Sequence, residues 1–175
     1  MPPVRLRLGL LALSAVLLSA CGGWYLRGTQ VSQIAVRKVF VRADSSSYLL
    51  TWFQTHLAYS GVTLARSPGE AEAVVDLRGE RYDRRVLSVD DQTGKVREME
   101  LGLEVEFSVR SPTGELIAAP ERVQWTQDFV FDEASLLGTE EVETTIRYEL
   151  AKDAARALMF RLEAVDFANR GGDAG

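Results

Sequence analysis

The residues able to do chemistry are few, and their scarcity decides much of what the chain can be. Cysteine and histidine occur once each, as Cys21 and His56. A single thiol cannot close a disulfide within the chain, and one Cys with one His cannot build a zinc site of the multi-Cys or multi-His kind. A serine nucleophile would need His56 as its base. No Gly-x-Ser-x-Gly elbow is present, and His56 follows Trp52 by four residues in a stretch that reads as an amphipathic helix, the setting of a boundary histidine. Paired carboxylates serve acid–base chemistry only where their surroundings split their pKa values. Glu98, Glu100, Glu104 and Glu106 instead alternate along one strand, as a solvated face does. No catalytic residue, metal or cofactor is expected.

The densest basic run is Arg78-Gly79-Glu80-Arg81-Tyr82-Asp83-Arg84-Arg85, with Lys95 and Arg97 just beyond the next turn. In a hairpin these residues could approach one another and bind anionic phosphates or sugars by charge-assisted hydrogen bonds. Glu80, Asp83, Asp90 and Asp91 are interleaved, so the run equally suits a solvated, salt-bridged strand face.

The elements that would position these residues follow from periodicity. Gln33 to Arg42 predicts a first strand whose alternation slips near Lys38, suggesting a bulge. Asp44 and Ser45 to Ser47 supply cap chemistry for a helix carrying Leu49, Leu50, Trp52, Phe53 and Leu57, with Gly61 as its stop. Glu72 to Val89 predicts a long second strand, and Asp90 to Gly94 a turn. The third strand is the clearest signal, with Met99, Leu101, Leu103, Val105, Phe107 and Val109 at odd positions and mostly polar residues between them. A period of two sustained over a dozen residues puts one face on a core and the other toward water or a polar partner. Val123, Trp125, Phe129 and Phe131 mark a fourth strand. A closing helix runs from about Thr139 to Val165, with Val142, Ile146, Leu150, Ala154, Leu158, Leu162 and Val165 as its stripe. The expected fold is α+β in the order β-α-β-β-β-α. Its four-stranded, mostly antiparallel sheet carries two helices packed on one face and leaves the other exposed.

Residues 1–20 read as an address. Arg5 and Arg7 precede an apolar run from Leu8 to Leu18, about eleven residues that span only roughly half of a ~30 Å hydrocarbon core. This is a secretory signal peptide. The run ends in Leu18-Ser19-Ala20-Cys21, which resembles a bacterial lipobox, so Cys21 is the expected lipid attachment site. Acyl chains worth about 0.8 kcal/mol per buried CH₂ would hold the chain on a membrane. Residues 21–168 would then form one lipidated domain and 169–175 a flexible tail. The chain of 175 residues carries a net charge of −5, and −7 beyond residue 20 once Arg5 and Arg7 are set aside. That sign is opposite to a nucleic-acid footprint.

Cys21-Gly22-Gly23-Trp24-Tyr25-Leu26-Arg27-Gly28 is similar to the start of the LPS-assembly lipoproteins of the LptE family. The order of the later elements agrees, down to Ser60-Gly61-Val62 after the first helix and Asp153-Ala154-Ala155-Arg156-Ala157-Leu158 in the last. The resemblance implies a non-enzymatic lipoprotein in the periplasmic leaflet of a Gram-negative outer membrane. It would assemble with and plug the LptD β-barrel, assisting lipopolysaccharide toward the outer leaflet. It also implies basic lipopolysaccharide contacts at the hairpin, for which Arg84, Arg85, Lys95 and Arg97 are the candidates. The sequence departs from the pattern at Asp90 and Asp91 of the tip, and at Leu136 to Glu141, where a lysine is expected. An auxiliary lipoprotein of an ABC-type phospholipid transport system is the alternative, disfavoured by the Gly-Trp-Tyr-Leu-Arg-Gly start.

Overall fold

The computed structural model describes residues 34–131 and 136–167. Cys21, Trp24 and Tyr25 lie outside this range, as do the expected signal peptide at 1–20, residues 132–135 and the expected tail at 169–175. The elements are β1 (Lys38–Ala43), α1 (Tyr48–Tyr59), β2 (Thr63–Leu64), β3 (Ala73–Val89), β4 (Val96–Arg110), β5 (Leu116–Val130) and α2 (Leu136–Glu163). The sheet has five strands rather than four, in the order β2-β1-β3-β4-β5. It is mixed: β1 lies parallel to both β2 and β3, while β3, β4 and β5 form an antiparallel meander. Parallel pairing requires a crossover, which α1 supplies between β1 and β3. The additional strand, β2, has two exposed residues, too few to show a period. It is held by Thr63 N–H donating to the Arg37 carbonyl and Ala65 N–H to that of Val39, both at 2.8 Å.

Two further expectations change. The slip near Lys38 is not a bulge, since β1 runs against β3 in unbroken register from Val39 to Ala43. It marks the chain's entry into the sheet, where the Arg37 N–H donates to the Glu72 carboxylate at 2.9 Å. The fourth predicted strand, now β5, begins seven residues before Val123. The extension takes in Pro120, and β5 is an edge strand, the position in a sheet where proline is tolerated.

Ser47 caps α1 by accepting the Leu50 N–H at 3.1 Å, and Gly61, at φ +79°, turns the chain away from its end. Leu49, Phe53 and Leu57 face inward from α1, and Ile146, Leu150, Ala154, Leu158 and Leu162 from α2. They join Leu101, Leu103, Val105, Phe107 and Val109 of β4 in one apolar cluster, so the predicted alternation reads the core face of β4 directly. The stripe of α2 differs at its start. Val142 is 43% exposed, while Thr139 and Glu143 are buried, for a reason that lies in the sheet.

Candidate binding surface

The face taken by the charged side chains from Arg81 to Arg85 is set by a one-residue insertion, while two further register shifts lie nearer the tip, between Val86 and Val89. Arg78 pairs with Glu106 and Arg81 with Glu104, so β3 spends three residues where β4 spends two. Gly79 occupies this bulge at φ +62°, a left-handed conformation that glycine adopts without steric cost. Its N–H is held by the Asp44 carboxylate at 2.8 Å. Because side chains alternate, the extra residue reverses parity. Before it, Asp76 and Arg78 share the open face with the even positions of β4. After it Arg81, Asp83 and Arg85 do so, while Tyr82 and Arg84 turn to the helical side.

The candidates Arg84 and Arg85 therefore point to opposite faces. Arg84 reaches Glu143 of α2 at 3.1 Å, and Glu143 also lies 3.8 Å from Arg147. This pairing explains why an acid, rather than Val142, turns inward at the start of α2. Arg85 pairs with Glu100 across the ladder at 2.8 Å. At the tip, Arg97 is bound to the Asp90 carboxylate. Asp90 also accepts the N–H groups of Gln92 (3.0 Å) and Thr93 (2.8 Å). These bonds hold the Asp90 carboxyl down to about 2, with the Thr93 N–H as the largest cause and Arg97 next. Lys95 sits in the same turn, its carbonyl accepting the Asp90 N–H at 2.7 Å. The structure thus brings Lys95 and Arg97 together at the tip and separates Arg84 from Arg85.

On the helical side, the bulge opens a cleft of about 420 Å³ lined by Ser47, Tyr48, Glu80, Tyr82 and Arg147. Burial raises the Glu80 carboxyl, opposed by its 2.6 Å hydrogen bond from the Ser47 hydroxyl. Burial, then the Glu80 charge, pushes the Tyr82 phenol up to about 12. The Arg147 guanidinium stacks 4.7 Å from the Tyr82 ring centroid. His56 is remote from all of this. Its Nε2 is buried without a hydrogen-bond partner, and burial followed by Arg156 lowers its pKa, so it remains a neutral packing group beside Trp52. Among the described residues no group of His, Cys, Asp or Glu could hold a metal, and no helix is long and apolar enough to cross a membrane.

The opposite face of the sheet carries charge in a pattern that residue order alone does not show. Toward the end where β1 joins, it presents Arg42, Arg78, Arg81, Arg110 and Arg122 against Asp76, Glu104 and Glu106. Toward the hairpin tip it presents Arg85 against Asp83, Glu98, Glu100 and Asp128. Gly102 interrupts the row of glutamates, and a Cβ there would stand 2.9 Å from the Asp83 carboxylate. The face is polarised along the strands, cationic at one end and acidic at the other.

The family model for LptE, described as lipopolysaccharide-assembly, matches residues 32–162, which takes in every strand and nearly all of α2. The chain belongs to the LptE family. That family is non-enzymatic, in keeping with the neutral, isolated His56. No curated protein matches the sequence. Among solved structures, this LptE-family chain resembles uncharacterized lipoprotein B from Nitrosomonas europaea, with 22% identity and a TM-score of 0.68 over 81% of this chain and 91% of that one. It also resembles the rare lipoprotein B from Shewanella oneidensis, with 23% identity and a TM-score of 0.62 over 71% and 92%. A minor lipoprotein from Acinetobacter baumannii gives 21% and 0.62 over 73% and 91%. These likenesses are of fold. The mixed five-stranded sheet with two helices is the part of the chain that the LptE-family model covers.

Proposed function

We propose that the protein is an outer-membrane lipoprotein, anchored through Cys21, that assembles with and plugs an LptD β-barrel and assists lipopolysaccharide toward the outer leaflet. The family match over residues 32–162 carries this reading. The geometry supports it in one respect above others: helices cover a single face of the sheet, and the other face is charged along its length. The lumen of a large outer-membrane barrel is itself polar, so a domain of this kind can sit inside one without stranding apolar surface. The tip of the β3–β4 hairpin, stiffened by Asp90, is a suitable probe of the barrel wall. Arg84, Arg85, Lys95 and Arg97 are the hairpin cations that lipopolysaccharide phosphates would meet, with their present ion pairs exchanging partners.

The test is an affinity pull-down of the tagged full chain from detergent-solubilised envelopes, run on gels with and without boiling. A stoichiometric, heat-modifiable β-barrel is the expected partner, and deletion of Asp90 to Gly94 should reduce its recovery. Recovery of an ABC transporter instead, with no barrel, would overturn the partnership. Incorporation of labelled palmitate, abolished by Cys21→Ser, tests the anchor.

A further inference from the structure

The cationic end of the open face contains an arrangement that pairing alone does not require. Asp76 of β3 is 1% exposed and receives three guanidiniums from three adjacent strands. Arg42 Nη1 of β1 lies at 3.0 Å, Arg110 Nε of β4 at 3.3 Å and Arg78 Nη2 of β3 itself at 3.9 Å. A single carboxylate needs one such partner for charge balance, so this cluster carries an excess of two positive charges. Counted with Arg81, Arg122, Glu104 and Glu106, the five arginines and three acids of this end keep a net charge of +2. Glu104 is shared between Arg81 at 2.8 Å and Arg122 at 3.2 Å. Glu106 is the register neighbour of Arg78 and Arg122, and leaves that five-arginine region with net positive charge.

Each guanidinium offers five N–H donors in a fixed planar fork. Arg42 directs one toward Asp76. Arg110 stands with Nε 3.3 Å from Asp76 Oδ2 as an ion pair without a hydrogen bond, and donates from Nη1 to the Gly114 carbonyl at 3.1 Å. Arg78 is too far from Asp76 for a hydrogen bond. The three side chains are 42%, 34% and 54% exposed, so part of each fork faces solvent. The buried carboxylate works as a rivet: it holds cations from three strands at one point, which would otherwise repel one another, and leaves their outer donors directed away from the sheet.

We propose that Arg42, Arg78 and Arg110, gathered by Asp76, form a binding site for a phosphate monoester group. A dianionic tetrahedral oxyanion matches the two excess charges and can accept from several forks at once. The site lies at the far end of the sheet from the hairpin tip, where Asp83, Glu98, Glu100 and Asp128 would repel the same ligand. It stands independently of the barrel partnership.

The experiment uses the full chain in detergent at low ionic strength, with arginine Nε–H signals followed by NMR during titration with inorganic phosphate. Saturable shifts are expected at Arg42, Arg78 and Arg110, and none of comparable size with chloride at matched ionic strength. Arg78→Gln leaves Asp76 with its two closer partners and should therefore fold. It should weaken phosphate binding roughly fivefold to tenfold, the loss of one charge-assisted donor. Arg156→Gln, on the outer surface of α2, should leave binding unchanged. Arg110→Lys keeps the charge but loses the fork, and should fall between Arg78→Gln and the unaltered chain. Linear, unsaturated shifts, or equal weakening by Arg156→Gln, would overturn the site. So would binding of a carboxylate-rich peptide with no response to phosphate, which would make this face a protein contact. Vesicles of phosphatidic acid, compared with phosphatidylcholine, identify the source. A response at the same three arginines supports the site through a lipid headgroup, and a response to inorganic phosphate alone supports it through free phosphate.

Discussion

Replacing Gly79 with alanine tests the claim that a single bulge organises the charged surface. The added Cβ meets nothing within 4 Å, so no clash contributes to the cost. What remains is the backbone: an L-residue held at φ +62° is disfavoured by about 1–2 kcal/mol. Alanine also restricts the unfolded chain, returning about 0.4–1 kcal/mol. The net expectation is a loss of about 1 kcal/mol, or a fall in melting temperature of roughly 2–4 °C for a chain of this size. Asparagine tolerates the left-handed region and should cost about half as much. Gly69 is an internal control, because a Cβ there also meets nothing and its φ is ordinary. Gly69→Ala should be neutral or slightly stabilising. The assay is urea unfolding, where the midpoint should fall in Gly79→Ala with the slope unchanged. If Gly79→Ala and Gly69→Ala unfold at the same midpoint, the reasoning is wrong and the bulge does not depend on a left-handed glycine. Deleting Gly79 is a harsher change. It removes the parity reversal, so the ladder must slip or Tyr82 must leave the helical side, and the loss should exceed that of the alanine.

Other outcomes follow from the same structure. Leu158→Ala, at a site with no exposure beneath α2, should cost about 2–5 kcal/mol by urea unfolding. A double-mutant cycle on Arg84 and Glu143 should give a coupling of no more than about 1 kcal/mol, because Arg84 is more than half exposed and water screens the pair. Asp90 should titrate by carboxyl NMR near 2 in the folded protein. Since its pKa is depressed on folding, its stabilisation is complete above about pH 4 and is lost as pH falls through about 2. For His56 the folded pKa is lowered from 6.5, so protonation favours the unfolded chain. Stability should decline as pH drops below 6.5, and His56→Gln should remove that part of the decline.

Much of the architecture was legible because burial on one face imposes a period. The odd positions of β4 named the core strand, and the apolar spacing of α1 and α2 named the helices. The capping serines and Gly61 bounded α1 for local reasons that need no tertiary context. β2 was not legible, because two residues show no period and its bonds come from backbone groups of β1. The start of α2 was misread at Val142, because the preference for an inward Glu143 arises from Arg84, some sixty residues earlier in the chain.

The charged surface divides in the same way. The sequence by itself determined which residues were available: a basic run in β3, a glutamate row in β4, a lone histidine without catalytic company, and Cys21 after an apolar run. It also determined the α+β class and the family. Only the tertiary structure decided which charges meet. The left-handed glycine at position 79 reversed the parity of β3, sending Arg84 to the helices and Arg85 to the open face. Strand order then brought Arg42 and Arg110, distant in sequence, to the buried carboxylate of Asp76. Alternation along a strand is a local property that any reader of the sequence can follow, whereas ion pairing depends on register between strands, and register is fixed only when the whole sheet has closed on its core.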